Sequence, residues 1–138
     1  LRFPGGVAIA DATHLCKRIL VYVPRHEARG FVKKVDFVTG PGHPDEGKWR
    51  KKMNIQGKGP SKVVTDMAVM GFDESTGKMK LESIHPGALI ENIEKNRGFP
   101  LIVPKKIHET VRPTAEQIQL IREKIDPANM RDLDYRQR

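Results

Sequence analysis

The chain has 138 residues, which is enough for one domain that buries about 70% of the surface exposed by the unfolded chain. Hydrophobic residues make up 38% of the sequence, and no run approaches the roughly 18 apolar residues that a membrane span needs. The formal net charge of +8 leaves nucleic acid, an anionic membrane surface and a phosphorylated small ligand open as partners.

The first segment is a Pro-Gly-Gly turn, Pro4 to Gly6, followed by residues 7–18, which favour a short helix. Such a turn directs backbone N–H groups and the positive end of the helix dipole towards an anion or an oxyanion. A plain turn is the alternative. Cys16 lies on the apolar side of this helix, so we expect it to be a small buried hydrophobic residue. One cysteine excludes an internal disulfide, and with no signal-peptide pattern the expected location is cytoplasmic.

Two short apolar runs come next. ILVYV at 19–23 ends at Pro24 and predicts a buried strand, and VDFV at 35–38 predicts a second. Residues 42–60 then form a long excursion rich in Gly, Pro and Lys. A loop of that length inside a compact domain is usually functional or bound by a partner.

The middle of the chain predicts a hairpin. Residues 62–72 indicate one strand, DESTG at 73–77 a turn, and residues 78–84 a strand with Met79 and Leu81 on its packed face. Asp66 lies within the first of these strands and must be hydrogen-bonded or paired if it is buried. We expect its role to be structural.

The last third alternates helices with one short strand. Leu89, Ile90 and Ile93 predict a helix with Gly98 as its C-cap, and LIV at 101–103 predicts a strand. TAEQ at 114–117 is a capping box in front of an apolar stripe formed by Ile118, Ile121 and Ile125. Strands and helices mix throughout, so the predicted class is α/β.

The sequence shows no catalytic apparatus and no metal site of its own. The histidines are scattered, without an i, i+4 pair or an HExxH pattern: His14, His26, His43, His85 and His108. GxSxG, Walker and GxGxxG patterns are also missing. We therefore assign no catalytic residue and no metal ligand.

The positive charge concentrates in one stretch, formed by Lys48, Arg50, Lys51, Lys52, Lys58 and Lys62. A non-catalytic domain that binds nucleic acid through this charge is one hypothesis. Against it, Trp49 is the only aromatic residue in the run, and stacking platforms need aromatic rings interleaved with the charge. A solvated surface is the other interpretation.

Five blocks taken in order resemble the β-subunit of family I coenzyme A (CoA) transferases, especially of the glutaconate CoA-transferase type. They are RFPGG (2–6), PRHEARGFVKKVDFVTGPGHP (24–44), GPSKVVTDMAVMGFDESTGKMKLESIHPG (59–87), ENIEKNRGF (91–99) and QLIREKIDP (119–127). The third block is the most specific. The resemblance implies that residues 1–138 form a single domain, the C-terminal part of such a subunit, and that residue 1 lies partway through a longer chain.

The resemblance implies a three-layer α/β fold with a mostly parallel twisted sheet and a β-hairpin, paired with an α-subunit. It implies transfer of CoA between an acyl-CoA thioester and a carboxylic acid, through a glutamyl-CoA thioester on the enzyme. The resemblance implies that this glutamate lies in a segment upstream of residue 1. The CoA thioester is then a substrate, no cofactor is bound permanently, and neither nucleic acid nor a membrane is a partner. Glu27 is expected to be an ion-paired surface or interface residue rather than the nucleophile.

The resemblance also gives the opening loop a function. The family loop after the proline helps to hold the thioester, which makes Gly5, Gly6, Val7 and Ala8 the candidate CoA-binding residues. Val7 and Ala8 replace two expected glycines, although glycine permits a close backbone approach that valine obstructs. This departure keeps open an alternative in the same family, a CoA-thioester (ring-opening) hydrolase in which water replaces the acid. The basic excursion, from Lys48 to Lys62, would face the CoA phosphates, an acidic partner or solvent.

Overall fold

The fold is a five-stranded sheet with short helices, and the computed structural model describes residue 6 and residues 8–133. The strands lie in chain order across the sheet: β1 (Ile19–Val23), β2 (Pro60–Thr65), β3 (Ala68–Phe72), β4 (Met79–Ile84) and β5 (His108–Glu109). β1 pairs in parallel with β2 and β4 with β5, whereas β3 runs antiparallel to both of its neighbours. The carboxyl ends of β1, β2, β4 and β5 therefore meet at one end of the sheet.

The α/β class and the β-hairpin are confirmed, but the sheet is evenly mixed rather than mostly parallel. The reason is the length of the connections. Only Asp66 and Met67 separate β2 from β3, and residues 73–78 separate β3 from β4. A parallel crossover needs a dozen or more residues, so both connections force antiparallel pairing.

The prediction of one strand over residues 62–72 is wrong, because the chain reverses at Asp66 and Met67. The Thr65 hydroxyl oxygen accepts hydrogen bonds from the main-chain N–H groups of Met67 and Ala68, both at 3.1 Å. The side chain thereby closes the turn without Gly or Pro. The expected strand at 78–84 is observed as β4, and the turn before it is also confirmed.

The turn between β3 and β4 is organised by Asp73. Its Oδ1 accepts hydrogen bonds from the main-chain N–H and the hydroxyl group of both Ser75 and Thr76, at 2.6–3.2 Å. These bonds favour the charged carboxylate and lower the pKa of Asp73 to about 2.

The core lies on one face of the sheet, where Val63, Ala68, Met70 and Leu81 are buried together with Phe31 and Ile93. Ile93 comes from a helix over Ile90–Lys95, and Val21 and Val23 of β1 pack against the cluster. The predicted strand at 35–38 is wrong. Residues 36 and 37 form a bend and Phe37 is 79% exposed, because the described part of the chain offers this segment no strand partner.

Within the described residues, four α-helices accompany the sheet: α1 (Ile9–Leu15), α2 (Lys48–Lys52), α3 (Ile90–Lys95) and α4 (Ala115–Leu120). α3 ends with Asn96 as its C-cap, so the prediction of Gly98 in that role is wrong. Gly98 instead donates its N–H to the carbonyl of Phe31 at 2.6 Å. The predicted strand at 101–103 is reduced to one bridge, between Ile102 and Lys80.

The capping box at the start of α4 is confirmed, with Thr114 and Gln117 each accepting from the other's main-chain N–H. The helix continues as a π-turn over Ile121–Ile125. Ile121 and Ile125 are 39% and 68% exposed, so the apolar stripe is largely uncovered in the described residues. None of the described helices is long and apolar enough to cross a membrane.

Candidate functional site

The opening loop leads into α1 through a left-handed residue. Ala8 is the N-cap of α1 and has φ 64° and ψ −8°, a conformation that favours glycine. The main-chain N–H of Ile9 donates to the carbonyl of Gly6 at 3.1 Å. The structure thus places Gly6 and Ala8 of the predicted site at the start of α1, while Gly5 and Val7 lie outside the described residues.

This loop rests against residues 39–42. A Cβ atom on Gly6 would overlap the methyl group of Thr39, and a Cβ on Gly40 would lie 2.7 Å from the methyl group of Thr13 in α1. Both glycines therefore allow an approach that a side chain would block. We refer to Gly6, Ala8 and residues 39–42 together as the glycine wall.

Arg50 of α2 forms hydrogen bonds to Pro41 and Gly42 of the glycine wall and to two residues outside it. Its Nη1 donates to the carbonyls of Thr13 at 2.7 Å and Gly57 at 3.0 Å, and its Nη2 to the carbonyl of Pro41 at 2.9 Å. The carbonyl of Gly42 accepts from both Nε and Nη2 at 3.3 Å. All five guanidinium N–H groups are therefore engaged by main-chain oxygens.

The guanidinium has an unusual electrostatic environment for an arginine. Arg50 is only 5% exposed, and among the ion pairs of the described residues none involves it. Burial lowers its pKa, although an arginine remains protonated under physiological conditions. Carbonyl dipoles rather than carboxylates therefore compensate this buried charge.

Fewer cationic side chains of the basic excursion are free to bind an anion than its sequence indicates. Arg50 is buried, Lys48 pairs with Glu46 at 2.8 Å, and Lys62 forms an ion pair with Glu82 across the sheet. Between the excursion and the sheet lies an open cleft of about 650 Å³. Lysines and carboxylates both line it, among them Lys51, Lys58, Asp73 and Glu74.

A second polar cluster lies where the parallel strands end. The main-chain N–H of His26, just after β1, donates to Oδ1 of Asp66 at 2.8 Å, and His26 Nδ1 lies 3.3 Å from the Thr65 hydroxyl oxygen. His85, directly after β4, places Nε2 3.0 Å from the carbonyl oxygen of Thr65. Nε2 therefore carries the proton, since a carbonyl only accepts. Its Nδ1 faces the Thr110 hydroxyl at 2.9 Å.

The burial of His26 disfavours its protonated form. The residue is 2% exposed, and its ring stacks on Phe31 with centroids 4.3 Å apart. Burial lowers the pKa of His26, while the main chain of Ile93 and the charge of Asp66 oppose that shift. Ligands of α/β sheets commonly bind beside the carboxyl ends of parallel strands, and a cavity of about 350 Å³ borders His26 there.

The surface ion pair expected for Glu27 is present, whereas the burial expected for Cys16 is not. Glu27 pairs with Arg29 at 2.7 Å on the surface, as expected for an ion-paired residue. Cys16 is exposed, so its predicted burial is wrong: α1 ends at Leu15 and Cys16 is the C-cap beyond it. In the described part of the chain, no group of three or more His, Cys, Asp or Glu residues could hold a metal ion.

Three residues of these sites were not predicted from the sequence: Arg50 as a buried residue, and His26 and His85 as partners in one cluster. The five lysines of the same basic stretch made Arg50 look like one more surface cation, although Gly57 and Gly59 nearby are a sign of close packing. The proximity of the two histidines was easier to predict, because both follow strands that run in the same direction. That direction became apparent only once the turn at Asp66 was known.

The Coenzyme A transferase family model matches residues 2–96. The chain is 40% identical to the β-subunit of glutaconate CoA-transferase of Acidaminococcus fermentans over 91% of its own length and 47% of that protein. It is similar to the crystal structure of glutaconate coenzyme A-transferase from the same organism, with a TM-score of 0.78 and 36% identity. That match covers 94% of this chain and 49% of the other.

A relative with a different named activity also matches. The chain is 30% identical to the cholesterol ring-cleaving hydrolase IpdB subunit of Mycobacterium tuberculosis (strain ATCC 25618 / H37Rv), over 83% of its own length and 45% of that protein. The chain thus spans about half the length of the curated relatives that it matches. Since the family model covers residues 2–96 and the glutaconate relative nearly the whole chain, this chain belongs to the coenzyme A transferase family.

Proposed function

We propose that the chain is the C-terminal part of a cytoplasmic CoA-transferase β-subunit. Together with an α-subunit, it moves coenzyme A between an acyl-CoA thioester and a carboxylic acid of the glutaconate or 3-oxoacid type. The observation that carries this proposal is the 40% identity to the β-subunit of a CoA-transferase across 91% of the chain. CoA is a substrate in this proposal, and the protein holds no permanent cofactor.

The proposed chemistry begins with a glutamate upstream of residue 1. Its carboxylate attacks the acyl-CoA carbonyl carbon, the C–S bond breaks, and a mixed anhydride and CoA thiolate form. The thiolate then attacks the glutamyl carbonyl, which releases the first acid as its carboxylate and leaves a glutamyl-CoA thioester. The acceptor carboxylate repeats these two steps in reverse. Each exchange is thereby divided into easier covalent steps, and no net proton is consumed.

The loop formed by Gly5, Gly6, Val7 and Ala8 is proposed to lie beside the thioester carbonyl. Main-chain N–H groups held in a fixed position stabilise the oxyanion that forms when the carbonyl is attacked. Ala8 supports this role, because it keeps the left-handed conformation that glycine favours. Although alanine replaces an expected glycine at this position, the backbone of Ala8 has dihedral angles that are typical of glycine.

A hydrolase is the second candidate, and the 30% identity to a subunit named as a ring-cleaving hydrolase supports it. In that case water takes the place of the acceptor acid. Nucleic acid is the least supported partner, since Arg50 is buried and Lys48 and Lys62 are paired with carboxylates. These pairs interrupt the positive surface that a phosphate backbone needs.

The deciding experiment uses the complete β-subunit with its α-subunit. The enzyme is incubated with an acyl-CoA donor and an isotopically labelled acid from a panel of dicarboxylic and 3-oxo acids. Mass spectrometry follows labelled acyl-CoA, and a thiol reagent follows free CoA. A transferase forms labelled acyl-CoA in step with donor loss and releases no free CoA. A thioester hydrolase releases one CoA for each donor, a ring-opening hydrolase adds one water to the donor and keeps its CoA, and neither forms labelled acyl-CoA. Either of these results would overturn the transferase proposal.

A further inference from the structure

We propose that Arg50 is a positioning residue, which fixes the glycine wall against α1 by hydrogen bonds to four main-chain carbonyls. The catalytic consequence of this inference rests on the proposed function, whereas the positioning itself does not. The hydrogen bonds of Arg50 reach Pro41 and Gly42 of the glycine wall, so it acts on the opening loop through residues 39–42.

The first support is that Arg50 joins three separate parts of the chain. Its acceptors are Thr13 in α1, the adjacent residues Pro41 and Gly42, and Gly57 in the excursion. Thr13 lies in the last turn of α1, where carbonyl groups have no partner within the helix. A positive charge at that end also complements the helix dipole.

The second support is the lack of space around the guanidinium. A Cβ atom on Gly59 would lie 2.7 Å from both Nε and Nη2 of Arg50. A Cβ on Gly57 would overlap the carbonyl oxygen of His14. The backbone thus closes tightly around a flat, five-donor group, and the point charge of a lysine cannot reach the same set of carbonyls.

The third support is the connection to the opening loop. Pro41 and Gly42, which accept from Arg50, directly follow Thr39 and Gly40. Thr39 is the residue that Gly6 contacts, and Gly40 packs on Thr13. With all five of its N–H groups occupied and 5% of its surface exposed, Arg50 has no donor left for a substrate phosphate.

The test compares Arg50→Lys with the wild type in the complete two-subunit enzyme. Lys52→Gln is the matched control, because it removes a positive charge from the same helix at an exposed position. Two quantities are measured: kcat and KM for the acyl-CoA, and hydrogen exchange of main-chain amides. We expect Arg50→Lys to lower kcat by about 10- to 100-fold with little change in KM, since small misplacements near reacting groups have such effects.

Hydrogen exchange provides the readout that is independent of activity. In Arg50→Lys, we expect faster exchange in residues 8–15 and 39–42 and unchanged exchange in β3 and β4. A purely structural role predicts instead a loss of stability across the whole sheet and an unchanged kcat for the folded enzyme. Unchanged kcat together with unchanged exchange in residues 39–42 would overturn the inference.

A second pair of variants covers the case in which Arg50→Lys does not fold. Gly59→Ala pushes a methyl group into the guanidinium, whereas Gly47→Ala places one in open space at the same φ of 79°. We expect Gly59→Ala, but not Gly47→Ala, to show the faster hydrogen exchange and the lower kcat described for Arg50→Lys. Equal exchange and equal kcat in the two variants would contradict the role of Arg50. If the wild-type enzyme neither transfers CoA nor hydrolyses the acyl-CoA, the proposed function is wrong. The hydrogen-exchange data still test the positioning role of Arg50 in that case.

Discussion

The main-chain N–H of His26 donates to the Asp66 carboxylate at 2.8 Å, a bond that joins the end of β1 to the β2–β3 turn across 40 residues of sequence. Asp66 is exposed, so its carboxylate remains hydrated while it fixes the chain that leaves β1. The bond also sets the position at which the His26 ring enters the core. Asp66 therefore has the structural role expected from the sequence, but in a turn rather than within a strand.

Asp66→Ala removes the acceptor of that bond. We expect a loss of about 1 kcal/mol in the free energy of unfolding, a typical value for one hydrogen bond. Asp66→Asn keeps an acceptor oxygen and should lose less. Urea unfolding of the two variants and of the wild type measures both effects. Equal stability of Asp66→Ala and the wild type would show that the bond contributes nothing in solution.

Thr65→Val tests the turn that separates β2 from β3. Valine has nearly the shape of threonine but cannot accept from the N–H groups of Met67 and Ala68, and Ala68 is fully buried. Leaving a buried donor without an acceptor costs about 1–3 kcal/mol. Thr65→Ser keeps the hydroxyl and is the matched control. If the valine variant is as stable as the serine variant, the hydroxyl does not hold the turn.

Ala8→Gly addresses the left-handed residue at the start of α1. An alanine at φ 64° carries a steric cost of about 1–2 kcal/mol, which glycine avoids. Glycine gains some entropy in the unfolded chain, so we expect a net stabilisation of about 1 kcal/mol or less. Thermal unfolding of the variant checks the sign. A clear loss of stability would mean that Ala8 does not occupy this conformation in solution.

The buried His26 makes stability depend on pH. Its pKa in the folded protein is lower than the ordinary value of 6.5, so the unfolded chain binds more protons between these two values. The free energy of unfolding should therefore be fully retained above pH 6.5 and decline as the pH falls below it. Urea unfolding from pH 8 to pH 5 measures this decline.

His26→Gln provides the control for that titration, because glutamine keeps a polar side chain but has no proton to gain. We expect the dependence of stability on pH between 5 and 6.5 to be shallower in this variant than in the wild type. The two slopes would be equal if another group is responsible, and the assignment to His26 would then be wrong.

Local chemistry explains which elements were predictable from sequence. ILVYV became β1 with its expected bounds, because a short β-branched run stopped by proline specifies a strand almost by itself. The capping box at Thr114 and Gln117 likewise depends on residues three apart. The 35–38 strand failed because strand formation needs a partner, and Val35, Phe37 and Val38 remain exposed in the described chain.

The candidate site was only partly predictable for a related reason. The place of Gly6 before a helix follows from the Pro-Gly-Gly turn, whereas the helix predicted over 7–18 puts Ala8 inside the helix and not at its N-cap, where the structure has it. The burial of Arg50 follows from four carbonyls in three segments, and no local pattern specifies that arrangement. Arginine is rarely buried without a carboxylate, so the basic run around it favoured a surface interpretation. The cluster of His26, His85 and Thr65 likewise needed the strand directions first.

In the proposed transferase, the complete subunit carries CoA covalently on a glutamate. The most direct measurement mixes the two-subunit enzyme with an acyl-CoA in the absence of an acceptor acid, then digests the denatured protein and analyses it by mass spectrometry. We predict that one glutamate upstream of residue 1 carries CoA as a thioester, and that adding the acceptor acid removes it. Consumption of the acyl-CoA without any CoA adduct on a glutamate would contradict transfer through a glutamyl-CoA thioester.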